Sequence, residues 1–156
     1  MREEKLYLRR KGNGNGANAG RRGRAVVMDR GAGEVERILI VDDRALVLFV
    51  MERALEKLDV ACDLVGARSG REALQALDAQ RFDLIITDLK MPDMDGVELT
   101  EQIRARGSNA VVVWITAYGC QGLAEEAERL DVFRCVEKPL EVNMIRRMAR
   151  EALQSD

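Results

Sequence analysis

Histidine is absent from the 156 residues of this sequence. Its absence excludes histidine-based metal sites, a Ser-His-Asp triad and a phosphohistidine of the protein's own. No apolar run is long enough to span a bilayer, and the polar N-terminus lacks the apolar core of a secretory signal. The three cysteines (Cys62, Cys120 and Cys135) are an odd number without paired spacing, which is typical of free thiols in a reducing compartment. We therefore expect a cytoplasmic protein.

The residues that are present indicate one ordinary globular domain. Hydrophobic residues make up 47% of the chain and charged residues 33%, and the length allows a single modest core. The net charge of −2 is unevenly distributed. Residues 1–34 carry nine basic and four acidic side chains, a net of +5, whereas the remainder carries sixteen basic and twenty-three acidic ones, a net of −7. The chain therefore divides into a basic segment and an acidic one.

The basic segment 1–34 is predicted to be a disordered tail, and residues 35–156 to be the folded domain. Residues 9–24 are rich in Gly, Asn and Arg and have almost nothing to bury. A weak dinucleotide fingerprint at residues 14–19 is rejected, because neither a strand before it nor a helix after it is indicated. The arginines could contact the phosphates of nucleic acid or acidic lipid, but we favour a solvated tail without a role. Translation starting at Met28 would leave this tail out of the native protein.

Strand-like and helical patterns alternate from Arg37 onward. The predicted strands cover residues 37–42, 60–65, 82–87, 110–115 and 132–136. The predicted helices cover about residues 44–58, 70–80, 95–106, 119–130 and 141–153. The first, third and fourth strands are almost entirely apolar and rich in Val or Ile, as in parallel strands that are covered on both faces. Five successive strand–helix pairs predict one doubly wound α/β domain.

Two of the predicted helices carry further local signals. In the first, Leu46, Phe49, Val50 and Ala54 recur at the spacing of an apolar helix face. Ser69 opens an N-terminal capping pattern for the second.

Acidic side chains follow two of the predicted strands. Asp42 and Asp43 end the first strand, and Asp88 follows the third. Right-handed crossovers place these strand ends at one edge of a parallel sheet, so we expect the three carboxylates to converge. Because like charges repel strongly at short range, such a cluster needs a cation, and oxygen-only ligands suit Mg2+. A carboxylate beside bound Mg2+ can also accept a phosphoryl group.

A hydroxyl and an ammonium complete the predicted site. Thr116 follows the fourth strand and Lys138 the fifth, and both groups could bind the oxygens of a transferred phosphoryl group. Each feature alone has a structural explanation, since an Asp can cap a helix or open a turn, a strand-end Thr is usually structural and a surface Lys is usually solvated. The ordered set, which follows strands one, three, four and five, would rarely arise by chance.

These motifs resemble the receiver domain of two-component response regulators. The likeness is carried by residues 38–43 (Ile-Leu-Ile-Val-Asp-Asp), residues 88–96 (Asp-Leu-Lys-Met-Pro-Asp-Met-Asp-Gly), Thr116 with Ala117, and Lys138 with Pro139. The resemblance covers about residues 36–154. It implies a flavodoxin-like fold of five parallel strands in the order 2-1-3-4-5, flanked by five helices.

The resemblance also implies a chemistry for the acidic cluster. A sensor histidine kinase or a His-phosphotransfer protein would phosphorylate Asp88. Asp43, Asp88 and the backbone carbonyl of Lys90 would bind Mg2+, with Asp42 acting largely through water.

The remaining site residues would hold the phosphoryl group. Thr116 and the backbone N–H of Ala117 would bind its oxygens, and Lys138 would pair with the phosphate. Because this binding differs between two conformations, phosphorylation would alter the surface made by the fourth helix, fifth strand and fifth helix. A homodimer through that face is one possible outcome.

Cys135 departs from the family pattern. The family usually has an aromatic residue three positions before Lys138, and that residue moves inward as Thr116 binds phosphate. Strand alternation would put Phe133 on the same face as Cys135, where it could partly substitute. The missing aromatic leaves an alternative open, a degenerate receiver that acts as a phosphorylation-independent protein-binding module.

The predicted output is contact with another protein. The chain ends soon after the last predicted helix, so a full-length protein of this sequence would be a stand-alone module that acts through protein contact or phosphorelay. It would not be an enzyme, except in catalysing its own phosphorylation and dephosphorylation. An aspartyl phosphohydrolase is disfavoured, because such enzymes need a second Asp where Lys90 stands. Neither a membrane nor nucleic acid is an expected partner.

Overall fold

A six-stranded sheet lies at the centre of the computed structural model, which describes residues 6–10 and 35–155. Its strands are β1 (Leu6–Arg10), β2 (Glu36–Val41), β3 (Cys62–Ala67), β4 (Leu84–Asp88), β5 (Val111–Thr116) and β6 (Val132–Glu137). The strand order is β1-β3-β2-β4-β5-β6, and β2 to β6 are parallel. Counted among the parallel strands alone, this order is 2-1-3-4-5, so the predicted flavodoxin-like fold is confirmed.

Five helices cover the two faces of the sheet. They are α1 (Ala45–Leu55), α2 (Gly70–Ala79), α3 (Gly96–Ala105), α4 (Ala124–Arg129) and α5 (Val142–Gln154). Apolar residues of α1 and α5 pack on one face of the sheet, and those of α2 and α3 pack on the other. The Ser69 hydroxyl accepts a hydrogen bond from the Glu72 backbone N–H at 3.1 Å, which confirms the predicted cap of α2. Within the described residues, no helix has both the length and the apolar character needed to cross a bilayer.

The buried face of α1 differs from the predicted one. Leu46 is 74% exposed and Phe49 52% exposed, whereas Leu48, Met51 and Leu55 are buried. The helix reads Ala-Leu-Val-Leu-Phe-Val-Met-Glu-Arg-Ala-Leu, so two apolar faces satisfy the helical spacing equally well. Packing against α5 and the sheet decides between them. The expectation from spacing was wrong for Leu46, Phe49 and Val50, whereas Ala54 is buried as expected.

Helix α4 is shorter than predicted. The pattern indicated a helix over residues 119–130, but α4 begins at Ala124. Gly119 and Gly122 have φ values of 85° and 81°, which a right-handed helix does not accommodate. The segment before Ala124 is therefore a loop at the end of β5.

Strand β1 lies inside the segment for which we expected disorder. Its five residues pair antiparallel with β3, with Leu6 opposite Gly66 and Arg10 opposite Cys62. This pairing satisfies backbone groups of β3 that would otherwise form an open sheet edge. For residues 6–10 the structure thus differs from the expectation, and the rest of the predicted tail lies outside the described residues.

A bulge in β6 separates two side chains that were expected to share a face. Val132 pairs with Val112, but Arg134 pairs with Val113, so Phe133 is an extra residue in the strand. Phe133 consequently packs toward the α1–α5 side of the sheet, and Cys135 packs toward the α2–α3 side. The prediction that Phe133 could substitute for an aromatic at the Cys135 position is therefore wrong.

Two of the three cysteines are joined. Cys120 and Cys135 form a disulfide, with their Cα atoms 6.0 Å apart, while Cys62 is buried in the core. The expectation of three free thiols is thus incorrect for this pair. Sequence spacing could not reveal it, because parallel pairing of β5 with β6 is what brings the two residues together.

Candidate functional site

Three aspartates converge at the carboxyl edge of the parallel sheet. Asp42 and Asp43 follow β2 directly, and Asp88 is the last residue of β4. Because β2 and β4 are neighbours with Val41 opposite Thr87, the next residue of each strand also comes close. One carboxylate oxygen from each aspartate lies within 4.8 Å of the other two. The structure thus brings the three predicted side chains together.

Burial makes this cluster electrostatically unfavourable without a cation. Asp42 is 2% exposed and Asp88 6% exposed, while Asp43 is partly exposed. Burial raises the pKa of Asp88 above its ordinary value, and the negative charge of Asp42 raises it further. Lys138 and the Lys90 backbone N–H oppose this shift in pKa. A bound cation would relieve the same repulsion.

Lys138 reaches into the cluster from the end of β6. Its Nζ lies 3.1 Å from Oδ2 of Asp42 and 3.5 Å from Oδ2 of Asp88. The lysine side chain is 16% exposed, and its peptide bond to Pro139 is cis. The ammonium therefore compensates part of the charge of the two buried carboxylates.

Thr116 lies beside the acidic cluster on the next strand. Asp88 pairs with Ile115 of β5, so Thr116 is one residue beyond it. Its side chain is 2% exposed, and its hydroxyl oxygen accepts a hydrogen bond from the Tyr118 backbone N–H at 3.0 Å. Its carbonyl oxygen accepts a hydrogen bond from the Lys138 backbone N–H at 2.8 Å. This bond fixes the strand ends that carry the hydroxyl and the ammonium relative to each other.

Ala117, Lys90 and Tyr118 form the exposed rim of the site. All three are exposed, Tyr118 to 78%. The Lys90 ammonium lies 5.9 Å from the centroid of the Tyr118 ring, within the range of a cation–π contact. The roles predicted for the Ala117 N–H and the Lys90 carbonyl concern bound groups, so they stay predictions.

Two residues that were not predicted support this geometry. A Cβ at Gly96 would lie 2.5 Å from the backbone oxygen of Asp88, so glycine permits α3 to begin against β4. The Arg68 guanidinium donates a hydrogen bond to the Asp43 carbonyl oxygen at 3.1 Å. The Asp95-Gly96 pair in the sequence was a signal for the close approach of α3 to β4. The contact of Arg68 with Asp43 had no such signal, because β3 ends at Ala67, two residues later than its pattern predicted.

The donor set fits a hard divalent cation. Its ligand atoms are carboxylate oxygens alone, and one of the three aspartates is open to solvent. Mg2+ prefers such oxygen ligands and usually keeps several of its waters. The residues present therefore match a magnesium site, and the neighbouring hydroxyl and ammonium match an anionic group bound beside it.

The fold and the site together define a flavodoxin-like α/β domain with an acidic crevice at the carboxyl ends of its strands. The sequence model of the response regulator receiver domain matches residues 38–150. The chain belongs to this family, whose members act in two-component systems and bind Mg2+ at an acidic pocket.

Individual relatives agree with this assignment. Response regulator protein PilR of Pseudomonas aeruginosa is 32% identical over 119 residues, which cover 76% of this chain and 26% of PilR. Sporulation initiation phosphotransferase F of Bacillus subtilis is 30% identical over 118 residues, which cover 76% of this chain and 94% of that protein. A solved CheY-like receiver domain protein from Methanospirillum hungatei is 25% identical with a TM-score of 0.68, covering 77% of this chain and 94% of that one. The chain thus spans about a quarter of PilR and nearly all of the sporulation protein.

Proposed function

We propose that this domain accepts a phosphoryl group on Asp88 from a histidine kinase or a His-phosphotransfer protein and passes the signal on through protein contact or phosphorelay. The observation that carries the proposal is the convergence of three aspartate oxygens within 4.8 Å, with the Lys138 ammonium 3.1 Å and 3.5 Å from two of the carboxylates. Such an arrangement has a nucleophile, anionic metal ligands and a counter-charge for phosphate in one crevice.

The transfer balances as a nucleophilic displacement at phosphorus. A carboxylate oxygen of Asp88 forms the new P–O bond while the P–N bond to the donor histidine breaks, and the electron pair leaves with the imidazole. Asp42, Asp43, Asp88 and the Lys90 carbonyl would hold Mg2+. When bound, this ion supplies positive charge against the phosphoryl oxygens and makes the attack of one anion on another feasible.

The groups around Asp88 have separate roles in the product state. Lys138 pairs with the acyl phosphate, since its ammonium already lies 3.5 Å from the Asp88 carboxylate. Thr116 offers its hydroxyl and Ala117 its backbone N–H to the remaining oxygens. The Thr116 hydroxyl now accepts a hydrogen bond from Tyr118, so its engagement with phosphate would move the loop that follows β5.

That movement is the basis of the proposed output. The loop leads into α4, which contains no buried residue and packs beside β6. A displacement after Thr116 would therefore change the surface of α4, β6 and α5 at low energetic cost. We assign target binding, or pairing with a second copy, to this surface, and no catalytic activity beyond the domain's own phosphorylation and dephosphorylation.

A separate surface suits the phosphodonor. Helix α1 begins two residues after Asp43, and it exposes Leu46 (74%), Phe49 (52%) and Val50 (38%) on one side. Any protein that delivers a phosphoryl group to Asp88 must contact the rim from which α1 extends. Adjacent exposed apolar side chains are typical of a site for a partner helix, and we assign this one to the donor.

The test is phosphorylation of the full chain by phosphoramidate in the presence of Mg2+, followed by intact-mass measurement. We expect the wild type to gain one phosphoryl group and the Asp88→Asn variant to gain none. Asp93→Asn is the matched control, because Asp93 is exposed in the same loop and its positive φ of 69° suits Asn. Equal labelling of wild type and Asp88→Asn would show that Asp88 is not the acceptor.

A further inference from the structure

The disulfide joins two segments that border the candidate site. Cys120 lies in the loop between β5 and α4, and Cys135 lies within β6, 15 positions further on. The loop starts directly after Thr116, and Lys138 follows β6 directly. The disulfide therefore joins the loop that follows Thr116 to strand β6, which precedes Lys138.

The loop has few other restraints among the described residues. Residues 117–123 include two glycines with positive φ, and the helix that follows buries no residue. Its backbone N–H groups donate hydrogen bonds from Tyr118 to the Thr116 hydroxyl at 3.0 Å, from Cys120 to a Glu137 carboxylate oxygen at 3.3 Å, and from Leu123 to the Cys120 carbonyl oxygen at 3.3 Å. A covalent bond at Cys120 therefore adds a restraint two residues after Tyr118, whose backbone N–H bonds to the Thr116 hydroxyl.

Both sulfur atoms of the pair belong to partly exposed residues. Cys120 and Cys135 are each of intermediate exposure, whereas Cys62 is fully buried in the core. Thiol–disulfide exchange needs access to a sulfur atom, which the partial exposure of both residues favours. Cys135 also pairs in register with Trp114 on β5, which places an intrinsic fluorophore on the neighbouring strand.

We propose that Cys120 and Cys135 are a reversible thiol–disulfide modification site, whose oxidation restrains the loop after β5 and slows phosphorylation of Asp88. In a reducing compartment, disulfides are usually catalytic or redox-sensing rather than structural. The control of phosphorylation rests on the proposed function of Asp88. The reversible disulfide and its restraint of the loop are independent of that function.

The reaction partner is a dithiol of the kind found in thiol–disulfide oxidoreductases. One thiolate of the reductant attacks a sulfur of the pair, which breaks the S–S bond and forms a mixed disulfide. The second thiol of the reductant then displaces this sulfur, so the domain gains two electrons and two protons as two thiols, and the reductant becomes a disulfide. Oxidation is the reverse reaction with a disulfide oxidant.

A redox titration tests the bond itself. The full chain is equilibrated in mixtures of reduced and oxidised dithiothreitol, denatured in N-ethylmaleimide, and weighed to count the labelled thiols. Of the three cysteines, we expect all to be labelled under reducing conditions and one under oxidising conditions, in a single two-electron transition. Cys62→Ala should preserve the loss of two labels, and Cys120→Ser should abolish it. Labelling of all three thiols in every oxidising mixture would overturn the proposal.

A second experiment measures what the bond controls. Hydrogen exchange of peptides from residues 117–131 is compared between the oxidised and reduced chain, together with the rate of phosphorylation by phosphoramidate and Mg2+. We expect reduction to accelerate both several-fold, and the variant with Cys120→Ser and Cys135→Ser to behave as the reduced chain in all buffers. Equal exchange in the two redox states would overturn the restraint. If hydrogen exchange differs between the redox states but the phosphorylation rates are equal, the control of phosphorylation is overturned. If neither redox state is phosphorylated, the phosphoacceptor function is overturned, and the thiol site stays supported by the redox titration.

Discussion

The ammonium of Lys138 lies 3.1 Å from a carboxylate oxygen of Asp42, although 96 positions separate the two residues. Asp42 follows the central strand β2, and Lys138 follows the edge strand β6. The ammonium thus occupies a place among the same carboxylates that would bind a divalent ion. A metal ion bound there would be attracted to Asp42 and Asp88, as the ammonium is, and would repel the ammonium.

Removal of this ammonium should strengthen magnesium binding. We expect Lys138→Ala to bind Mg2+ several-fold more tightly than the wild type, because the repulsion is lost and two carboxylates lose their counter-charge. Titration with MgCl2, followed by the fluorescence of the single Trp114, measures the affinity. Lys57→Ala is the control, since Lys57 is exposed beyond the end of α1. An unchanged or weaker affinity of Lys138→Ala would contradict the expected competition.

The exposed face of α1 should affect phosphoryl transfer from a protein donor but not from a small-molecule donor. We expect Phe49→Ala to slow phosphoryl transfer several-fold from any phosphohistidine protein that labels the wild type. The rate with phosphoramidate should not change, because a small donor does not need the helix surface. Intact-mass time courses with both donors give the comparison. Equal slowing with the two donors would mean that the substitution damages the site rather than a docking surface.

Trp114 and Thr100 form a buried hydrogen bond whose loss should be costly. The indole N–H donates to the threonine hydroxyl at 2.8 Å, and both side chains have no exposed surface. Thr100→Val keeps the volume but removes the acceptor, together with the hydrogen bond that this hydroxyl donates to the Gly96 carbonyl oxygen at 2.7 Å, so we expect a loss of about 1–3 kcal/mol in the free energy of unfolding. Thr100→Ser retains the hydroxyl and should cost less. Urea unfolding measures both, and equal stability of the two variants would show that the bond contributes little.

Gly96 should be intolerant of a side chain. In Gly96→Ala, the new Cβ would overlap the backbone oxygen of Asp88 and the Cα of Leu89, and we expect a loss of roughly 1–3 kcal/mol together with slower phosphorylation. Gly107→Ala is the comparison, because its Cβ meets open space and only its positive φ is unfavourable, by roughly 1–2 kcal/mol. Urea unfolding and phosphoramidate labelling report the two effects. A phosphorylation rate for Gly96→Ala equal to the wild type would contradict the role of this contact.

Glu52 should make stability depend on pH. It is 4% exposed, and its Oε1 atom has no hydrogen-bond partner within residues 6–10 and 35–155. Burial raises the pKa of Glu52, Glu56 raises it further, and Arg53 opposes the shift. The folded state then holds the proton of Glu52 more tightly than the unfolded chain does. The contribution of Glu52 to stability therefore falls as the pH rises above 4.5, the ordinary pKa of a glutamate.

Replacement of this glutamate by an apolar residue of similar size tests the effect. We expect Glu52→Met to be more stable than the wild type at neutral pH by about 1 kcal/mol, and the difference should shrink toward zero or reverse below the ordinary pKa. Urea unfolding at a series of pH values gives the difference. Glu128→Met, at an exposed position, should show no such trend. A constant difference across the pH series would contradict a desolvated carboxylate at Glu52.

Much of the fold could be predicted because local pattern and global topology agree. The strands β2, β4 and β5 are buried on both faces, and their apolar runs are visible in the sequence. Right-handed crossovers then fix which strand ends share an edge. For the same reason, the convergence of Asp42, Asp43 and Asp88 followed from their positions after strands.

Other features depended on contacts that sequence spacing does not encode. The two apolar faces of α1 are equivalent by period, and only the neighbouring α5 and the sheet select Leu48 and Met51 for burial. The bulge at Phe133 reverses the alternation of β6, and a single extra residue leaves no mark in the hydrophobic pattern.

The sequence by itself determined the order of strands and helices, the acidic residues at strand ends, and hence the receiver fold with an acidic crevice at the carboxyl edge of its sheet. These features arise from periodicity and from the handedness of chain connections, which are local or general. Tertiary structure alone decided that α1 turns Phe49 to solvent and that Cys120 meets Cys135. Such pairings depend on register and on three-dimensional packing between segments far apart in the chain, which no spacing along the sequence specifies.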